Sequence, residues 1–226
     1  MTNWDLYKLL NYIVNKDVYA QAMNESEFDV ELKAKNIRHF RSRLGLPEGY
    51  RTGAVTQAVE TTKLNQIDLA PFLVLETNGS PKVITVTGGK ATITGAAYIL
   101  DFFTSTSRSS EIISYQEISS RVNDPQTVPT TKDLCAYIID GGLRVYPSTV
   151  TSIFVMYYRD PVAPVFKITT NETTLELGYD AVNSTELEWS DGNKLDILHM
   201  ILQDMGLNIS RGDVSQVATK LVETGK

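Results

Sequence analysis

The chain has 226 residues, 42% of them hydrophobic and 21% charged, with 27 acids against 21 bases for a formal charge of −6. This is enough apolar material for a sizeable folded core and excludes wholesale disorder, and no run approaches the roughly 18 unbroken apolar residues of a membrane span. One cysteine and two histidines exclude an internal disulfide framework, suit a reducing compartment, and leave little for metal, cofactor or acid–base chemistry.

The opening Met1-Thr2-Asn3-Trp4-Asp5 has neither the basic start nor the apolar run of a signal peptide. Thr2 or Asn3 is suited to cap a first helix, in which Leu6, Leu9, Leu10, Ile13 and Val14 recur at helical spacing. A second helix is expected from near Asn24. Glu25, Glu27 and Asp29 sit at its positive end, cations load its second half, and Gly45 and Pro47 stop it. The pair reads as a helical hairpin. Residues 50–70 are ambiguous.

From Phe72 the period shortens. β-type runs are expected at 72–76, 82–87, 91–94, 98–103, 133–139, 142–146 and 152–158, with a last hairpin over 165–177. Gly88-Gly89 and Asp140-Gly141-Gly142 read as turns, and Pro147 and Pro161 as strand ends. Ser114–Val122 has helical spacing. After residue 180 the pattern is helical again. Ser190 or Asp191 opens a helix with Leu195, Leu198, Ile201, Leu202 and Met205 inward, and Ser210 opens a final one. The layout predicts an α+β fold: an N-terminal helical region (1–70), a central antiparallel β body of sandwich or barrel type (71–178), and C-terminal helices (179–226), together one compact body.

Chemical signatures are sparse. Thr87-Gly88-Gly89-Lys90 lacks the upstream glycine and following hydroxyl of a phosphate-binding loop, and no nucleophile elbow occurs. His39 and His199 have no second ligand at metal spacing and read as exposed or helix-terminal side chains. Cys135, between Leu134 and Ala136, reads as a small buried side chain. Arg211-Gly212-Asp213 reads as a helix start rather than an adhesion motif. The expectation is a non-enzyme with no catalytic, metal or cofactor residues.

Charge is unevenly distributed. Residues 33–51 hold six Lys or Arg against Glu48 alone, whereas residues 171–205 hold eight acids against Lys194 alone. Two solvated faces would account for this. So would head-to-tail self-assembly, in which a basic patch on one copy meets an acidic patch on the next. On that reading the candidate interface residues are Lys33, Lys35, Arg38, Arg41 and Arg43 on one side, and Glu172, Glu176, Glu186, Glu188 and Asp191 on the other.

Three stretches carry a resemblance: Leu6–Lys16 with Glu27–Phe40; Ser114–Val122 with Pro129–Lys132, Gly142–Pro147 and Ser152–Pro161; and Leu187–Asp191 with Asp196–Leu202 and Met205–Ser210. In this order they resemble virion structural proteins of tailed phages of Bacteroidetes, the crAss-like phages among them. The resemblance implies a structural subunit, made in the host cytoplasm, that forms a ring of multiple copies, commonly twelve, in the neck between portal and tail. Its implied partners are itself, the portal and other neck or tail proteins. Genomic DNA would pass through without specific binding, no membrane is involved, and no catalytic residues are carried over. The alternative is a tail-associated receptor- or carbohydrate-binding module. Tyr115, Tyr137, Tyr146, Tyr157 and Tyr158 would supply its aromatic surface, although strand alternation buries about half of such a set.

Overall fold

The computed structural model describes residues 1–15, 23–45, 63–74, 76–77, 80–81, 83–107, 109–170 and 177–206. Along the chain these form α1 (Asn3–Val14), α2 (Glu25–Arg43), α3 (Lys63–Leu69), a 3-10 turn (Ala70–Phe72), β1 (Leu73–Val74), β2 (Glu76–Thr77), β3 (Ser80–Pro81), β4 (Val83–Thr87), β5 (Lys90–Thr92), β6 (Ala96–Phe103), β7 (Ser109–Ile112), α4 (Tyr115–Asn123), β8 (Asp133–Ile139), β9 (Gly142–Tyr146), β10 (Ser152–Arg159), β11 (Ile168–Thr170), β12 (Leu177–Tyr179) and α5 (Asp191–Asp204). The fold is α+β. The chain divides into two compact units, residues 72–160 and the remainder. The helices before and after the β body therefore share one unit. Residues 161–178, grouped with the β body on sequence, go with them, because among the described residues β11 pairs only with β12 and Val165 bridges Thr185.

In the helical unit, three-residue spacing sets the helix starts. Thr2 accepts from the Asp5 amide while the Asp5 carboxylate takes the Thr2 amide, and Asn24 and Glu27 do the same for α2. These reciprocal caps satisfy backbone donors that a first turn leaves orphaned. Ser190 occupies the cap position of α5 without a side-chain cap bond to the helix backbone. α5 packs on both α1 and α2, with Leu6, Leu10, Phe28, Leu32, Phe40, Ile197, Leu198, Ile201 and Leu202 buried. Tyr7 and Phe28 join α1 to α2 edge to face, with centroids 5.2 Å apart, and Trp4, Phe166 and Tyr179 extend the aromatic group. The expected final helix from Ser210, the Arg211-Gly212-Asp213 tripeptide, Pro47 and most of residues 50–70 lie outside the described residues.

The β unit is a curled sheet of order β1-β10-β4-β5-β9-β8-β7, with β6 on the other edge of β10. Ser110 on β7 donates to Asp101 on β6 at 3.0 Å, linking the two ends of the curl. The inner face is apolar: Val86, Ala91, Phe102, Leu134, Ala136, Leu143, Val145, Ile153 and Val155 are buried together. Every pair is antiparallel except β7 with β8, which run parallel. The all-antiparallel expectation is corrected there. The sequence over 109–112, Ser-Ser-Glu-Ile, hides a strand that needs a crossover, and the segment carrying α4 supplies it. The β4–β5 turn uses Gly88 and Gly89 at φ +57° and +79°, the conformation a tight two-residue hairpin demands. Gly142 answers a different need. A Cβ there would lie 1.9 Å from the Ala91 carbonyl oxygen, so strand β5 comes as close as it does only because no side chain intervenes.

Candidate functional site

The basic and acidic segments meet inside one chain. α2 carries the cations and packs on α5, which carries acids. Lys35, whose side chain is only 7% exposed, pairs with Asp204 and lies 3.5 Å from Glu31. Arg38 lies 3.9 Å from Asp204. Arg43 holds Asp196 at 2.9 Å and lies 3.5 Å from Asp68 on α3. Lys33 pairs with Asp29 one turn earlier at 2.5 Å. Arg41 is exposed on the outer side of α2.

On the acidic side, Glu186 accepts from the Asn3 amide at 2.7 Å and from the Tyr179 hydroxyl. Loss of solvent, then this hydrogen bond, pushes the Tyr179 phenol up to about 12. Glu188 accepts from the Val162 amide at 2.9 Å, and the exposed Asp191 lies 2.9 Å from the amino group of Met1. Glu172 and Glu176 lie outside the described residues.

Beneath these pairs runs a buried polar network that sequence reading missed. Asn193 is its hub. Its amide donates to Asp68 at 2.8 Å and to Ser190 at 2.9 Å. Its oxygen lies 3.0 Å from both His39 Nε2 and Arg43 Nη2. Two donors and two lone pairs are the whole capacity of an asparagine amide, and all are used. That oxygen can only accept, so the 3.0 Å contact calls for the proton on His39 Nε2, whereas the longer approach of Arg43 Nε to the same nitrogen, at 3.4 Å, calls for it on Nδ1. Burial holds the His39 imidazole below the ordinary histidine range, with Arg43 adding to the effect and Asn193, Asp196 and Asp68 opposing it. His39 is thus 5% exposed, not a solvated side chain as its basic surroundings suggested. Its ring meets Trp189 edge-on at 4.7 Å, and the Trp189 indole donates to Asn36 at 2.7 Å. The signal was present: Asn36, His39 and Arg43 fall at i, i+3 and i+7, on the stripe that also carries Leu32 and Phe40.

The network ties α2, α3 and α5 together; its donors already hold partners, so its arrangement is that of a structural lock. Cys135 is buried in β8, as expected, with its thiol pushed up by burial first. Among the described residues, no group of three His, Cys, Asp or Glu is placed to hold a metal ion, and no helix is long and apolar enough to cross a membrane.

What remains on the surface of α2 is a second stripe. Val30 (61% exposed), Ala34, Ile37 (44%) and Arg41 recur at i, i+4, i+7 and i+11, opposite the face that meets α5, with Lys33 and Arg38 beside them. Apolar side chains flanked by cations form a surface able to take up an acidic protein partner. A comparison with protein-family models finds no match for this chain, and a comparison with curated proteins finds none either.

Proposed function

We propose that the chain is a structural subunit of a tailed-phage virion that assembles with copies of itself into a ring in the neck, between portal and tail. The observation that carries the self-association is the outer stripe of α2. A helix whose inner face is engaged by α1, α3 and α5 still presents Val30 and Ile37 to solvent, flanked by Arg38 and Arg41. A second copy is a fitting occupant because the chain is acidic overall, at −6, so a basic, apolar stripe finds its complement on another molecule of the same kind. The virion setting is supported by the sequence resemblance. The −6 charge suits a ring through which DNA passes, since like charge opposes phosphate contacts.

The candidate interface changes in detail. Lys33, Lys35, Arg38, Arg43, Glu186, Glu188 and Asp191 all hold partners within the chain, so the residues to vary are Val30, Ile37 and Arg41. Mass photometry and light scattering are expected to show a discrete multimer, which the double variant Val30→Asp, Ile37→Asp converts to monomer with an unchanged circular dichroism spectrum. A monomer at every concentration, or a multimer indifferent to these changes, overturns the assembly reading. Absence of the protein from purified virions overturns the setting.

A further inference from the structure

The two sides of α4 open onto grooves of opposite chemistry. One, of about 460 Å³, is lined by charged side chains, among them Glu111, Glu117, Arg121 and Asp124. The other, of about 400 Å³, is lined by no charged side chain among the described residues. Its lining consists of Tyr115, Tyr137 and Tyr146, the amides of Gln116 and Asn123, the hydroxyl of Ser119, and aliphatic carbon.

The fold sets the tyrosines out deliberately. In the β8–β9 register Cys135 pairs with Tyr146 and Tyr137 with Arg144, so Tyr137 and Tyr146 are diagonal neighbours on the sheet face opposite the core. Their rings stack at 6.4 Å and 25°. Tyr115, the first residue of α4, stands edge-on to Tyr137 at 5.2 Å and is 71% exposed. Packing does not call for a large aromatic there, because Ile118 supplies the buried contact of α4 and the Ser114–Glu117 capping box fixes its start. Three aromatic side chains grouped at an open groove are a binding feature rather than a folding one.

The lining narrows the class of ligand. With no cation in it, phosphates and nucleic acids have no counter-charge; Arg144, opposite Tyr137 in the sheet, lies outside the lining. With no carboxylate, cations have none either. The Asn123 amide already donates to the Ser119 carbonyl at 2.8 Å, but a wholly apolar ligand would still take the Gln116 amide and the Ser119 hydroxyl out of water, at a cost. Loss of solvent, then Tyr146, raises the Tyr137 phenol above the ordinary tyrosine range, and a hydrogen bond between these two phenols leaves one O–H of the pair to donate to a ligand. A pyranose matches the remaining description. Its C–H faces are apolar and lie flat on aromatic rings, while its hydroxyl edge both donates to and accepts from amides and phenols.

We propose that this groove binds a neutral saccharide of one or two rings against Tyr115, Tyr137 and Tyr146, whether or not the chain forms rings. Saturation-transfer NMR on the full chain with maltose, cellobiose and N,N′-diacetylchitobiose tests it, with glucose 6-phosphate as the charged control. Transfer to the ring C–H protons of at least one neutral disaccharide is expected. It should fall tenfold or more in Tyr115→Ala, persist in Tyr115→Phe, which keeps the ring, and weaken several-fold in Gln116→Ala. Both Tyr115 and Gln116 are exposed, and circular dichroism verifies that each variant is folded. No transfer to any of the three, transfer undiminished in Tyr115→Ala and Gln116→Ala, or preference for glucose 6-phosphate overturns the proposal.

Discussion

The two units of this chain keep their interiors in opposite ways. Among the described residues, every buried polar or charged side chain (Asn3, Lys35, Asn36, His39, Asn193, Lys194) lies in the helical unit. The curled sheet encloses an apolar interior from β4, β5, β6, β8, β9 and β10. The difference follows from the backbone. A sheet satisfies its own N–H and C=O groups strand to strand, and successive side chains point to opposite faces, so one face is free to be wholly apolar. Helices meeting at angles present mixed faces, and here directed hydrogen bonds fix which residue of α2 meets which residue of α5. Apolar burial is non-directional; the Asn193 network is directional, and its loss leaves unpaired groups rather than an empty space.

The chain carries its own reporters for this contrast. Both tryptophans, Trp4 and Trp189, belong to the helical unit, and the only cysteine, Cys135, belongs to the β unit. The largest effect is expected from Gly142→Ala. The added methyl, fixed rigidly to its own backbone, meets the Ala91 carbonyl oxygen at 1.9 Å, itself a backbone atom, so strand β5 must move. A loss of at least about 3 kcal/mol is expected for such overpacking, read as labelling of the Cys135 thiol faster by roughly 100-fold, since about 1.4 kcal/mol is tenfold. If tryptophan fluorescence melts in step with the thiol, the two interiors unfold as one and the contrast loses its energetic meaning.

Asn193→Ala strikes the other unit and is expected to cost about 2 kcal/mol, the penalty for leaving buried donors and acceptors unpaired. His39, Arg43 and Asp68 would each lose a partner. Urea unfolding followed by tryptophan fluorescence should shift to lower midpoint, with Cys135 labelling in native conditions unchanged. A cost for the isosteric Asn193→Asp far below that of Asn193→Ala would show that cavity formation, not hydrogen bonding, dominates, and would erase the distinction drawn above.

Sequence alone reaches the two units unequally. In the β unit the period-2 runs and the Gly88-Gly89 turn are local signals, and β4, β5, β8, β9 and β10 fall where they point. β7 is missed because Ser109, Ser110 and Glu111 carry no apolar alternation; its place depends on β8 lying 24 residues away in register. In the helical unit the helix starts are legible from Thr2–Asp5 and Asn24–Glu27, which act over three residues. The partners of Lys35, His39 and Arg43 are not. They lie some 150 residues or more along the chain, at Asp204, Asn193 and Asp196, and no local pattern encodes that distance. The segment-level charge asymmetry is real in sequence, but folding converts much of it into internal pairing, which only the three-dimensional arrangement displays.

The smallest effect concerns pH and isolates the helical unit further. Burial holds the His39 pKa below its unfolded value, with Arg43 lowering it further against Asn193, Asp196 and Asp68. Between the two values the unfolded chain binds a proton that the folded chain does not. Stability from neutral His39 is therefore complete above about 6.5, the ordinary histidine value, and declines as pH falls below it. Protonation would also place a cation beside Arg43. The tryptophan-detected urea midpoint should thus drop between pH 7 and pH 5.5. His39→Gln, which keeps a donor for the Asn193 oxygen but does not titrate, should flatten that drop while lowering stability at pH 7. Cys135 labelling, rescaled for the thiolate fraction of a free thiol, should show no matching change in opening, because the β unit buries no histidine. A pH slope that survives in His39→Gln would remove His39 as its source, leaving the network directional but not proton-linked through this ring.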